Sequence, residues 1–164
     1  MKEISDEDIR GFLQTVRDHS IYDFYGYSLS SLRRRLLKIT DDFHIDLSGL
    51  AGRMRTDPSL LELIVKKITV NTTELFRDPA VWISLKENIL PRFRNQDSIS
   101  VWHPGCSTGQ EVYSMMMLLD HMGLLEKSNI YASDINTDVL AAARSGKYKY
   151  RFNSDYIRYF NMVF

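Results

Sequence analysis

Residues 98–114 read SISVWHPGCSTGQEVYS. The opening SISVWH is rich in β-branched and aromatic side chains and predicts a strand. Gly105 and Gly109 then bracket a tight loop, and EVYSMMMLLDHMG predicts a helix with Gly123 near its end. Further on, NIYASD predicts a second strand that finishes on Asp134. TDVLAAARSG predicts a second helix, with Thr137 as its N-cap and Gly146 as its stop. Strand, loop, helix, strand, helix is the opening of a parallel, doubly wound sheet.

Upstream, the pattern is helical. Ser5 with Asp8 three residues later predicts a capping box ahead of Ile9, Phe12, Leu13 and Val16 at helical spacing. SSLRRRLLKITDDF predicts a second helix that buries Leu32, Leu36 and Ile39, and LSGLAGRM a short third. Asp57-Pro58 and Asp78-Pro79 each pair a capping residue with a proline at the first helical position. They open SLLELIVKKITV and AVWISLKENIL, the latter closed by Pro91. The expected organisation is a small all-α domain over residues 1–78, then an α/β doubly wound, Rossmann-like domain over residues 79–164. The terminal KYKYRFNSDYIRYFNMVF offers no convincing third strand, so this sheet reads as unfinished, with an exposed edge that invites self-association.

Lysine and arginine balance aspartate and glutamate, 21 against 21, so no global charge points to nucleic acid or an anionic membrane. The chain also lacks an N-P-P-Y type motif of nucleic-acid methyltransferases. The first ten residues are acidic and do not read as a secretory signal, and no apolar run approaches the roughly 20 residues of a membrane span. With Cys106 as its single cysteine, the chain has no internal disulfide, and a cytoplasmic setting is expected.

In doubly wound sheets ligands sit at the carboxyl ends of the strands, where both the Gly105–Glu111 loop and Asp134 fall. An acid ending the second strand can accept the hydroxyls of a ribose. A pyrophosphate cofactor favours the spacing G-x-G-x-x-G and free amides at a helix start. Here only Gly105 and Gly109 are present, and Glu111 would repel a phosphate in that place. S-adenosylmethionine, cationic at its sulfonium and ammonium and free of phosphate, fits these charges better than NAD. The competing reading is that Glu111 and Asp134 only cap their own turns. No metal site is expected. His19, His44, His103 and His121 are scattered, without a histidine–acid pairing, and none is read as a ligand or base. Cys106 reads as chosen for size, the Met115–Met117 run as core, and Trp82 and Trp102 as packing residues at the domain junction.

WHPGCSTGQEVYS resembles the W-x-A-G-C-S-T-G-E-E-P-Y-S signature of the CheR-type methyltransferases, which methylate glutamate side chains of bacterial chemoreceptors with S-adenosylmethionine. ASDINTDVLAAARSGKY and ITVNTTELFRDP resemble two further family segments, in the family's order. The chain departs from the signature at Gln110, at Val112 and at His103-Pro104, where small residues are usual, and the family's α/β domain continues for about another 100 residues with the rest of the sheet. The resemblance implies that Asn71, Thr73 and Arg77 face the cofactor and the methyl-transfer site, beside Gly105, Glu111 and Asp134. Of these, Arg77 is the candidate catalytic residue, because arginine can hold a glutamate carboxylate with two parallel hydrogen bonds. It further implies a methyl-accepting chemoreceptor as partner, docked on Arg33, Arg34 and Lys38, with the protein acting at membrane-bound receptors without being embedded itself. A rival reading keeps the family shape but only binds a receptor or regulatory partner.

Overall fold

The computed structural model describes residues 4–69, 73–148 and 154–164, and divides into two compact units, Met1–Val70 and Asn71–Phe164. The first is helical: α1 (Asp6–His19), α2 (Leu29–Phe43), α3 (Leu47–Met54) and α4 (Pro58–Ile68). Each helix starts on a side-chain cap. Ser5, Ser28, Asp46 and Asp57 accept the backbone N–H groups of Asp8, Ser31, Gly49 and Leu60. Every such bond satisfies a donor that the helix itself leaves orphaned, and each is worth about 1 kcal/mol. The predicted capping box at Ser5 and Asp8 is present in both directions.

The apolar stripes of the four helices meet in one core that fully buries Leu32, Leu36, Leu50 and Ile64 beside Phe12. Truncating any one of these leucines to alanine would cost about 2–5 kcal/mol, because the packed neighbours cannot collapse into the space. The arginines of α2 divide by face. Arg33 donates to the Ile4 carbonyl and pairs with Asp6, and Arg35 donates to the Thr69 carbonyl at 3.2 Å. Arg34 and Lys38 are exposed one helical turn apart.

The second unit begins with α5 (Pro79–Ser84), which continues into a π turn over Leu85–Ile89 and a 3-10 turn over Leu90–Phe93. A single α-helix closed by Pro91 was the expectation. The departure has a physical cause: Pro91 offers no N–H and its ring would strike the carbonyl one turn back. The chain widens before it, and the Leu90 N–H reaches back five residues to the Leu85 carbonyl. Strand β1 (Ile99–Pro104), helix α6 (Gln110–His121), a 3-10 turn (Leu125–Lys127), strand β2 (Ser128–Ser133) and helix α7 (Thr137–Ser145) follow in the predicted order. The cap of α7 is Asn136, one residue before the expected Thr137, its side-chain oxygen accepting the Asp138 N–H. Asp78 precedes Pro79 as expected but makes no side-chain cap, since its backbone is left-handed.

The two strands pair in parallel, with Ile99 opposite Ser128 and Pro104 opposite Ser133. This is a helical unit followed by a small parallel sheet with flanking helices, an arrangement consistent with part of a Rossmann-like fold. One sheet face sends Ile99, Val101 and Ile130 into a core with Phe76, Trp82 and Leu118. On the other face Trp102 and Tyr131 stand opposite each other, 66% and 60% exposed. Trp102 is therefore exposed, whereas Trp82 is buried. Met115 lies in the core, but Met117 of the same run faces outward. The described end of the chain is a helix, α8 (Ser154–Val163), which with the following Phe164 brings Phe160 and Phe164 onto Phe76 and accepts a hydrogen bond from Lys86 at the Val163 carbonyl. Lys127 donates to the carbonyls of Phe93, Arg94 and Gln96, closing the turn that leads into β1. Among the described residues no helix is long and apolar enough to cross a membrane.

Candidate active site

The loop between β1 and α6 is wound tightly. Gly105, Ser107 and Gly109 all have positive φ, at 67°, 50° and 90°. For Ser107 that conformation carries strain of about 1–3 kcal/mol, so its surroundings must hold it there. Asp134, at the end of β2, does so: its Oδ2 accepts the Ser107 N–H at 2.8 Å, while its Oδ1 accepts the Asn136 N–H at 2.8 Å. The Cys106 N–H donates to the Ser133 carbonyl, a second tie between the loop and β2. Gly109 is required by contact as well as by φ, because a Cβ there would lie 2.9 Å from the Ala143 Cβ of α7.

Two tyrosines lock that contact. Tyr113 of α6 donates to the Ala143 carbonyl at 3.0 Å, and Tyr148 donates to the Thr108 carbonyl at 2.8 Å. Burial, followed by the negative charge that Tyr113 and Cys106 would carry on ionising, pushes the Tyr148 phenol up to about 12. Cys106 lies buried within the loop. Burial and then the Asp134 carboxylate raise its thiol above the ordinary range, with a smaller push from Glu111. The thiol therefore keeps its proton at neutral pH and is a poor nucleophile.

A second strained stretch lies just before α5. Phe76 and Asp78 have φ of 51° and 55°. The Phe76 N–H donates to Ser114 Oγ at 2.9 Å, and that hydroxyl donates to the Gln110 carbonyl, so the stretch is fastened to the first turn of α6. The Phe76 ring is buried against Trp82, Phe160 and Phe164. Trp82 Nε1 donates to the Arg77 carbonyl at 2.8 Å. Arg77 is thus held at its backbone while its side chain is half exposed, with Nε 3.8 Å from Asp78.

This second stretch, α5, the end of β1 and α6 wall a cleft of about 210 Å³, lined by Thr73, Glu74, Arg77, Trp82, His103 and Glu111 among others. Three of the residues singled out from the sequence, Thr73, Arg77 and Glu111, come together here. Gly105, in the adjoining loop, and Asp134, at the end of β2, are not among the lining residues. Asn71 lies outside the described residues. Arg33, Arg34 and Lys38 belong to the first unit.

The sequence reading missed one partnership. His103 is 5% exposed, and its Nδ1 lies 2.9 Å from Glu111 Oε1. A histidine–acid pair is therefore present, contrary to expectation. Eight residues and a reversing loop separate the two, so spacing along one helix or strand could not reveal it. The available signal was their shared position, one at the end of β1 and the other in the first turn of α6, on the two sides of one short loop.

The chemistry of these groups suits a nucleoside ligand without phosphate. The Ser107 amide is already committed to Asp134, and Glu111 places an exposed carboxylate at the helix start, where an anion would be repelled. Comparison with known proteins gives the same direction. Residues 71–160 match the family model described as the CheR methyltransferase, SAM binding domain. The chain is 37% identical over 153 residues to Cher3 of Pseudomonas putida, which is named as a methyltransferase, covering 93% of this chain and 56% of that protein. It is 34% identical over 143 residues to chemotaxis protein methyltransferase 2 of Vibrio cholerae, covering 79% and 50%. It is 27% identical over 149 residues to the chemotaxis protein methyltransferase of Listeria monocytogenes, covering 89% and 57%. The chain spans about half the length of these curated relatives. On the match over residues 71–160 and the loop and cleft just described, the chain belongs to the CheR methyltransferase family.

Proposed function

We propose that this protein methylates glutamate side chains of chemoreceptors with S-adenosylmethionine, its second unit carrying cofactor contacts and its helical unit docking the receptor. The observation that carries the reading is the cleft that brings Arg77 and the exposed carboxylate of Glu111 to one place.

S-adenosylmethionine, when bound, supplies an activated methyl group on a sulfonium. The side chains have simpler tasks. Glu111 pairs with an ammonium. Asp134 spends one lone pair of Oδ2 on the loop and one of Oδ1 on the turn into α7, and keeps others for ribose hydroxyls. Asn71, Thr73 and Gly105 complete the cofactor contacts. Arg77 holds the substrate carboxylate in one orientation by two parallel hydrogen bonds, and orientation supplies much of the rate in such a transfer. Esterification removes the carboxylate charge and with it the grip of Arg77, which favours product release. A glutamate carboxylate is already a nucleophile at neutral pH, so no general base is called for.

For the helical unit, Arg34 and Lys38 present an exposed basic pair, and Arg33 adds charge while held by Asp6. Such a surface suits an acidic receptor helix.

The test uses the intact protein. Calorimetric titration with S-adenosylhomocysteine should give saturable binding, and titration with NAD should give none. Arg77→Lys should retain that binding but lose most methyl transfer, since lysine cannot reproduce the planar two-point hold. Near-normal transfer by the lysine variant would remove Arg77 from this role.

A further inference from the structure

We infer that His103 is a positioning residue that fixes Glu111 for the ammonium of the ligand, so that this protein selects adenosyl sulfides bearing an amino-acid tail. The inference rests on the reading of the cleft as an S-adenosylmethionine site, and adds to it a residue and a selectivity.

Glu111 is 55% exposed on its side chain. Left alone, a glutamate in the first turn of a helix would sample several rotamers and meet a cation with no fixed geometry. His103 removes that freedom. Its backbone is held in the sheet ladder opposite Ala132, and its ring is buried, so it is an immobile anchor. An ionised carboxylate can only accept, so Nδ1 carries the hydrogen and donates to Glu111 Oε1 at 2.9 Å. That bond settles the tautomer. Nε2 is buried and has no partner, so the ring's one polar engagement is with Glu111. One carboxylate oxygen is thereby committed inward and the other is left for the cleft that both residues line.

A buried polar ring beneath an otherwise apolar stretch of β1 has no packing role that valine or alanine would not fill.

The decisive experiment compares two ligands on three proteins. The intact parent, His103→Ala and His103→Asn are titrated calorimetrically with S-adenosylhomocysteine and with 5′-methylthioadenosine, which lacks the amino-acid tail. His103→Ala should weaken S-adenosylhomocysteine by about tenfold, the scale of one charge-assisted hydrogen bond, and leave 5′-methylthioadenosine within about twofold. His103→Asn, whose amide N–H falls near the place of Nδ1–H, should restore the first ligand to within about threefold of the parent. If the alanine variant loses its fold by circular dichroism, His103→Gln replaces it, retaining bulk while moving the donor toward the Nε2 side. Equal weakening of both ligands, unchanged binding of S-adenosylhomocysteine, or an asparagine variant no tighter than alanine would overturn the inference. A parent that binds neither ligand would instead overturn the reading of the cleft.

Discussion

Asp134 Oδ2 accepts the backbone N–H of Ser107 at 2.8 Å, and this bond holds the loop after β1 against the end of β2. The same carboxylate caps the turn into α7 through the Asn136 N–H. Asp134 therefore has a structural task that stands apart from any ligand.

That double duty gives a prediction with two readouts. Asp134→Asn keeps the shape but puts an amide NH₂ against one of the two backbone donors, whichever way it flips. Unfolding in urea should show a loss of about 1–3 kcal/mol, because a buried donor is left unmet. Affinity for S-adenosylhomocysteine should fall at least tenfold in the same variant. Unchanged stability would mean that the loop is held by other contacts. Unchanged affinity with lost stability would confine Asp134 to its structural role.

The approach of α7 to Gly109 predicts a difference between two glycines. Both Gly109 and Gly123 have positive φ, but only at Gly109 would a Cβ meet another residue, Ala143, at 2.9 Å. Gly123→Ala should cost about 1 kcal/mol from backbone strain alone. Gly109→Ala should cost more, roughly 2–4 kcal/mol, since α7 must also move. It should weaken ligand binding as well, through the Thr108 carbonyl that Tyr148 holds. Equal losses at the two positions, measured by thermal or urea unfolding, would show that α7 yields freely.

Cys106 allows a chemical check, because it is the single thiol of the chain. Burial and the Asp134 carboxylate raise its pKa, so the protonated form persists at neutral pH and reactivity appears only as pH rises past the ordinary thiol range. At pH 7.5 alkylation by iodoacetamide should be well slower than that of glutathione, and should become fast and stoichiometric in urea. Reaction in the folded protein at the glutathione rate or faster would contradict the burial and the charge around it.

Much of the architecture was legible because local signals agreed. Ser5 with Asp8, Asp57 with Pro58, and the stripes Leu32, Leu36 and Ile39 each specify a helix from neighbouring residues alone. The two strands and their intervening loop carried equally local cues, in β-branched runs and in Gly105 and Gly109. What escaped was non-local or depended on backbone detail. The π turn before Pro91 depends on how the chain relieves a missing donor, and Asp78 fails as a cap because its φ is positive. The inward turn of His103 and outward turn of Trp102 follow from strand alternation, but which side carries the core is decided by α5, α6 and α8 packing elsewhere. Of the site, Thr73, Arg77 and Glu111 were named from motif and charge, whereas the His103–Glu111 pair needed the loop to close before it could be seen.

The account is tested most directly by following the methyl group. The intact protein, incubated with S-adenosylmethionine labelled in its methyl and with a purified chemoreceptor cytoplasmic fragment, should transfer label to the receptor. The product should be a carboxyl ester, so mild alkali should release the label as volatile methanol, and replacing the receptor glutamates by alanine should abolish it. Arg77→Lys should bring transfer close to background while S-adenosylhomocysteine still binds. Absence of transfer by a protein that binds S-adenosylhomocysteine, or label that survives alkali as a methylated nitrogen would, contradicts methyl transfer to glutamate.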